Sequence, residues 1–310
     1  EAEARELVEK LWIMHQCLRE RCNLKTLYNP QINYNFLSSE EWKAPYLKAL
    51  TRGIDIVESG ILQKLVLAVR HRIELKSEFK PLQILDALRD EKSGNCLFLW
   101  SRTSDDAFFG ASPERLISLH KGSLKIDALA GTATRNDDGQ ELIKSEKDLR
   151  EHDLVVTSIM NQLVLQGLQP SSPKKPKLAK YGHLIHLYTP ITASSRGQFP
   201  LRLAGALHPT PAVSGLPCNA AINWLRTLET FERGNYAAPI GWIDLAGDAE
   251  FRVAIRCGHF KGDKLDLIAG AGLVSGSIAE QELLEVELKL EVLLDQINSQ
   301  SKPFNSRSIT

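Results

Sequence analysis

The sequence predicts an α+β fold with antiparallel sheets, in which strands arrive in blocks joined by tight turns and helices lie between the blocks. Three observations carry this reading. Apolar, β-branched runs of strand length are bounded by glycine, aspartate and lysine turns. Amphipathic stretches with 3.6-residue spacing separate blocks of strands instead of alternating with them one for one. No internal repeat is present.

Taken in order, Leu7, Leu11, Met14 and Leu18 give residues 2–22 helical periodicity. A second helix is predicted over 40–59, capped by Ser38 or Ser39 with Glu40 or Glu41 nearby. The run "KLVLAVRHRIEL" (64–75) is a strand, and so is "GNCLFLWSRT". "DAFFGASPERLISLHKGSLKIDALAG" reads as a strand and then a hairpin turning at His120-Lys121-Gly122. "SEKDLREHDLVVTSIMNQLVLQ" is a helix with Ser145 as its cap and Asp148 at the capping-box position. The basic stretch "SPKKPKLAK" (172–180) carries two prolines and is expected to be a connecting loop; a short apolar stretch, "HLIHLYTPI", follows. A helix comes near 217–229, and "APIGWIDLAG", "EFRVAIRCGHF" and "KLDLIAGAG" form a three-strand meander. The closing helix is capped by Ser277 with Glu280 three residues on.

Composition excludes several function classes. Lys plus Arg equal Asp plus Glu at 38 each, so no net field draws the protein to nucleic acid or membrane. The five cysteines include no CxxC pair, which argues against zinc and redox motifs and fits a reducing cytoplasm. No run approaches the length of a membrane span, and the acidic, helical start is unlike a signal peptide.

Candidate chemistry centres on two helices. In "QELLEVELKL", Glu282, Glu285 and Lys289 share a narrow wedge, with Leu284 and Leu288 on one side and Val286, Leu290 and Leu293 on the other. A solvated face with a Glu285–Lys289 pair is the plain alternative. In "KDLREH", Asp148 and Glu151 are three residues apart beside an apolar face, although capping alone accounts for Asp148. Two such carboxylate pairs without His or Cys suit an oxygen-loving cation such as Mg²⁺. Lys64 opens a core strand, where it either snorkels or acts as a desolvated base. Glu114 follows a proline in "GASPERL", where a turn or bulge re-aims its side chain. Arg256 is expected on one strand face with Arg252 and Ala254, facing either solvent or a carboxylate. The glycines at 270, 272 and 276 miss dinucleotide-loop spacing but permit close approach of an anion to the backbone. His183 and His186 read as packing residues.

The stretches "KLVLAVR", "FFGASPERL", "ALAGTATR", "KDLREHDLVV", "HLYTPI", "LHPTPAVSGLP", "FERGNYAAPIGWID", "FRVAIR", "IAGAGLVSGS" and "ELLEVELK" together resemble the chorismate-utilising enzymes, in family order from about residue 54 to residue 295. Within that family, "LHPTPAVSG" and "RGNYAAPIGW" are most similar to isochorismate synthases of the kind feeding menaquinone or phylloquinone synthesis. The resemblance implies an anthranilate synthase component I-like fold, with antiparallel sheets packed as a sandwich flanked by helices. It implies a catalytic domain over 54–300, preceded by a helical segment over 1–53 left from a longer N-terminal region and followed by a tail over 301–310.

The activity it implies is addition of water at C2 of chorismate with loss of the C4 hydroxyl. Lys64 then matches the general base and Glu114 the general acid. Glu151 and Glu285 match direct Mg²⁺ ligands, with Asp148 and Glu282 supporting them through waters. Tyr236, Arg256 and the backbone at Gly270 and Gly272 match the grip on the substrate carboxylates, with Lys289 beside the metal and Gly131 and Thr132 under the ring. Aminating relatives carry glutamine at the position of Lys64, so no glutaminase subunit is expected. Salicylate synthase, which goes on to eliminate pyruvate, and a catalytically inactive ligand-binding relative are the alternatives.

Overall fold

The computed structural model describes residues 34–35, 41–75, 79–90, 95–134, 139–195 and 197–301. The described residues open with β1 (Tyr34–Asn35), α1 (Lys43–Glu58), β2 (Lys64–Leu75) and α2 (Pro81–Asp90). Next come β3 (Cys96–Thr103), β4 (Asp106–Ser112), β5 (Arg115–His120) and β6 (Ser123–Thr134). Helices α3 (Gln140–Lys144) and α4 (Glu146–Leu165) precede β7 (Lys177–Tyr181) and β8 (Leu184–Ser194). Then follow α5 (Pro200–Leu207), β9 (Gly215–Leu216) and α6 (Cys218–Leu228). Last are β10 (Pro239–Ile243), β11 (Ala249–Val253), β12 (Cys257–Lys261), β13 (Lys264–Leu273) and α7 (Ala279–Ser301).

Among the described residues the strands make two antiparallel sheets, as expected. One is seven-stranded, ordered β1-β2-β13-β12-β4-β3 with β9 also on β2; the other is six-stranded, ordered β10-β11-β5-β6-β8-β7. One core lies between the larger sheet and its helices: Leu50 and Ile56 of α1 and Val286, Leu290 and Leu293 of α7 pack on Leu65, Leu67 and Leu273. The other joins the two sheets and α4, through Phe108 and Ile268, Ile117 and Ile126, and Val155, Ile159 and Leu163. Each fully buried Leu, Ile or Phe contributes about 1.5–3 kcal/mol.

One departure from the sequence reading creates the site. "EFRVAIRCGHF" is not one strand. β11 belongs to the smaller sheet and β12 to the larger, and the chain crosses between them at Ala254–Arg256. Beside it, β4 and β5 cross in the opposite direction at Pro113–Glu114. Because β11 pairs with β5 and β12 with β4, the two crossings lie side by side. They are tied by Val253 N to Glu114 O (3.1 Å), Ala111 N to Arg256 O (3.0 Å) and Ser112 Oγ to Val253 O (2.6 Å). Arg256 therefore does not share a strand face with Arg252. Its φ of 51° turns the chain out of one sheet and into the other.

Other differences are local. The second half of "SPKKPKLAK" becomes edge strand β7, because Lys177–Tyr181 finds a partner in β8. Helices α2, α3 and α5 go beyond the sequence reading; α2 starts on a proline and buries Ile84, Leu85 and Leu88. Trp42, not a serine, precedes α1 and makes no side-chain cap. Ser277 does not cap α7: its Oγ accepts from Val274 N, and the Ile278 carbonyl takes the first helical bonds. The boundary placed at residue 53 falls inside α1, which is part of the core. The helix expected over 2–22 and the tail beyond 301 lie outside the described residues.

Candidate active site

The two crossings open into a cavity of about 650 Å³, part of it continuous with solvent. Lys64 and Val66 of β2, Gly270 and Gly272 of β13, Gly131 and Thr132 of β6, Glu151 of α4 and Glu285 and Lys289 of α7 all line it. Glu114, Arg256 and Tyr236 complete the predicted set; only Asp148 and Glu282 stand outside the lining.

Lys64 begins β2, paired on one side with β9, and is 1 % exposed. Its ammonium does not snorkel. It meets Glu151 Oε1 at 2.9 Å in a buried ion pair. Glycine at 272 makes that meeting possible, since a Cβ there would collide with Glu151 Oε1 and lie 3.1 Å from Lys64 Cε.

Glu114 stands at the crossing from β4 to β5 and is 4 % exposed. Burial pushes its carboxyl up to about 8, the charge of Asp127 adding to the effect and Lys64, Arg256 and Lys289 opposing it. It is therefore a protonated acid at neutral pH. Arg256 is buried too, which lowers its guanidinium to about 10 and leaves it charged.

On α7 the wedge seen in the sequence is real. Glu285 pairs with Lys289 (2.5 Å) and accepts from Thr132 Oγ1 (3.0 Å), while Lys289 also donates to Gly270 O (2.7 Å). Burial would raise the Glu285 carboxyl, but Lys289, Lys147 and the Thr132 bond hold it down at about 2. Glu282, one turn earlier, is 1 % exposed and bonded to Lys147 (2.5 Å), and its Oε2 has no partner. Burial and the neighbouring Glu285 charge push it up to about 7. Asp148 does sit at the cap of α4, its N–H donating to Ser145 Oγ at 3.2 Å. Leu284, expected in an apolar stripe beside the wedge, is instead 59 % exposed.

The residue that sequence reasoning missed is His186. Its sequence setting predicts a packing residue, yet it lines the cavity, with Nδ1 3.0 Å from Gly131 O and Nε2 3.1 Å from Arg256 Nη2. Burial, with Arg256 and Lys289 nearby, lowers its imidazole to about 3, so it is neutral. A carbonyl can only accept, so Nδ1 carries the proton and Nε2 accepts from Arg256. His186 thereby holds the guanidinium in place.

Comparison with known proteins gives the chain a family and a fold. A family model described as chorismate binding enzyme matches residues 1–298. The chain belongs to that family. The salicylate biosynthesis isochorismate synthase of Pseudomonas aeruginosa is 37 % identical over 268 residues, covering 84 % of this chain and 55 % of that protein. The solved structure of a 2,3-dihydroxybenzoate-specific isochorismate synthase, DhbC, from Bacillus anthracis superposes with a TM-score of 0.80 at 29 % identity, over 88 % of this chain and 76 % of that one. Anthranilate synthase component I from Streptococcus pneumoniae shares the fold at a TM-score of 0.74 and 24 % identity, over 93 % and 66 % of the two chains. The chain thus spans about half the length of the curated relatives it matches. Among the described residues no helix of this chorismate-binding enzyme is long and apolar enough to cross a membrane.

Mg²⁺ coordination fits the residues present. Among the described residues no three His, Cys, Asp or Glu side chains already converge on one point. Mg²⁺ does not require that, since it is usually held by one or two carboxylates with water and substrate completing its shell. Glu151 and Glu285 supply two carboxylates to one cavity, and Glu282, one turn before Glu285 and outside the lining, has an Oε2 without a partner.

Proposed function

We propose that this chain catalyses the isochorismate synthase reaction, interconverting chorismate and isochorismate by adding water at C2 and expelling the C4 hydroxyl. One observation carries the reading: a single cavity holds a buried lysine, Lys64, and a buried carboxyl, Glu114, that keeps its proton at neutral pH. A module that only bound a ligand would have no use for an acid and a base together.

Chorismate carries two carboxylates, and the cavity offers cations for them. Arg256, held by His186, presents a guanidinium fork, and Lys289 of α7 lines the same cavity. Tyr236 and the side-chain-free backbone at Gly270 and Gly272 complete the grip, while Gly131 and Thr132 form the wall beneath the ring. Lys64 takes a proton from the attacking water. Glu114 gives its own proton to the C4 oxygen as that bond breaks, while both ring double bonds shift, C1=C2 to C1=C6 and C5=C6 to C4=C5. Water enters and water leaves, so the step is an isomerisation. Glu151 and Glu285 would hold Mg²⁺, supported through waters by Asp148 and Glu282; when bound, the cation neutralises charge on the substrate and its acidic surroundings.

The test is incubation with chorismate and Mg²⁺, with and without chelator, followed by chromatography. Isochorismate whose formation the chelator abolishes is expected. Salicylate with pyruvate would replace the proposal with the eliminating reaction, and unchanged chorismate would sink it.

A further inference from the structure

One edge of β2 is covered along its length by β13. The other pairs with β9 at Lys64 and Leu65, where Val66 N also donates to Ser214 O (2.9 Å), and with β1 at Glu74 and Leu75. Between them a side-chain pair stands in for a strand. Ala68 N donates to Glu229 Oε1 (2.8 Å), and Val66 O accepts from Arg233 Nη2 (2.7 Å). Arg233 also donates from Nη1 to Val213 O (2.6 Å) and grips both Glu229 oxygens (2.8 and 2.5 Å). Its guanidinium lies 5.7 Å from the centre of the Tyr236 ring.

The groups so joined are not a random set. Val66, Val213 and Tyr236 all line the catalytic cavity, whereas Glu229 and Arg233 do not. They line a second cavity, whose walls also include Val213 and Tyr236. The ion pair therefore stands behind a partition between two cavities. That partition carries backbone strain: Ala237, next to Tyr236, has φ 64° and is pinned by Ala237 N to Ala254 O (2.8 Å). A strained turn keeps its shape only while its neighbours hold it.

We propose that Glu229 and Arg233 are positioning residues that fix Val213 and Tyr236 against β2, and so set affinity for the substrate without touching it. The proposal deepens the isochorismate reading and rests on it. Arginine is needed because one ammonium cannot reach the Glu229 carboxylate and two carbonyls in different directions. A wall that slackens weakens substrate and transition state alike, so KM moves and kcat does not.

The experiment compares wild type with Arg233→Lys and Glu229→Gln in chorismate kinetics, calorimetric chorismate binding and thermal unfolding. Arg233→Lys is expected to raise KM and the dissociation constant at least tenfold with kcat within about threefold. Glu229→Gln, which keeps an acceptor for Ala68 N, should fall between it and wild type. A lowered unfolding midpoint with unchanged KM would make the pair merely structural and overturn the proposal. So would a collapse of kcat at constant KM. If Arg233→Lys does not fold, Glu229→Gln decides by the same criteria. If wild type forms no isochorismate, the functional reading fails by itself; the clamp is then judged by the dissociation constants, and unchanged or undetectable binding rejects it.

Discussion

Replacing Glu114 by glutamine removes an ionisation and keeps the shape. In the folded protein this carboxyl titrates at about 8, against 4.5 for an ordinary glutamate, because burial disfavours its charged form. Between those values the folded state holds a proton that the unfolded chain has lost. The group's contribution to stability is therefore fully present below pH 4.5 and is lost as pH rises to about 8. The slope is about 1.4 kcal/mol per pH unit, or about 5 kcal/mol over the whole interval. Glutamine has no such dependence. From pH 6 to pH 9, wild type should thus lose about 3 kcal/mol more than Glu114→Gln. Urea unfolding at the two pH values in metal-free buffer measures this directly. Turnover of the variant should drop by about 10²–10⁴-fold, the usual worth of a positioned acid, and wild-type kcat should decline above pH 8. Stability curves that run parallel within about 1 kcal/mol would refute the assignment of a protonated Glu114, whatever the activity did.

Three further outcomes follow from the geometry. Gly272→Ala drives a methyl group into Glu151 and against Lys64, so kcat should fall at least about 100-fold while the circular dichroism spectrum is unchanged. Arg256→Lys exchanges a fork seated on His186 for a point charge, and KM for chorismate should rise about 10- to 100-fold in steady-state assays. Phe109→Ala, at a fully buried position 5.7 Å from the Phe79 ring, should cost about 3–5 kcal/mol in urea unfolding.

Much of this was legible in the sequence because the relevant signals are local. The Ser145 cap, the strand beginning at Lys64 and the acid wedge of α7 each depend on spacing within one element, and each is present. What stayed hidden depends on contacts between distant segments. Nothing in "EFRVAIRCGHF" announces a change of sheet, because both halves are apolar enough to be strands; only pairing with β5 and β4 reveals the break. His186 lies in a strand of buried residues, and its role appears only when Gly131 and Arg256 arrive from other elements. Short helices such as α3 and α5 are held by tertiary packing, and their own periodicity is too brief to register.

The position of Lys64 raises a conflict that a cation would resolve. A base must be free to take a proton, yet Lys64 is bound to Glu151 in a buried pair. Glu285 is likewise held by Lys289, so both cavity carboxylates are neutralised from within the protein. A cation on Glu151 would supply the charge that Lys64 now provides. The consequence is measurable in Lys64→Met. With chelator present, Glu151 loses its counter-charge in a buried setting, and the variant should be less stable than wild type by about 3–5 kcal/mol. Adding Mg²⁺ should then raise the unfolding midpoint of the variant more than that of wild type, because in wild type the ion must first displace the lysine. Turnover should stay absent in either condition. Equal Mg²⁺ shifts in the two proteins would mean that Glu151 is not a ligand, and would return it to the role of a structural partner for Lys64.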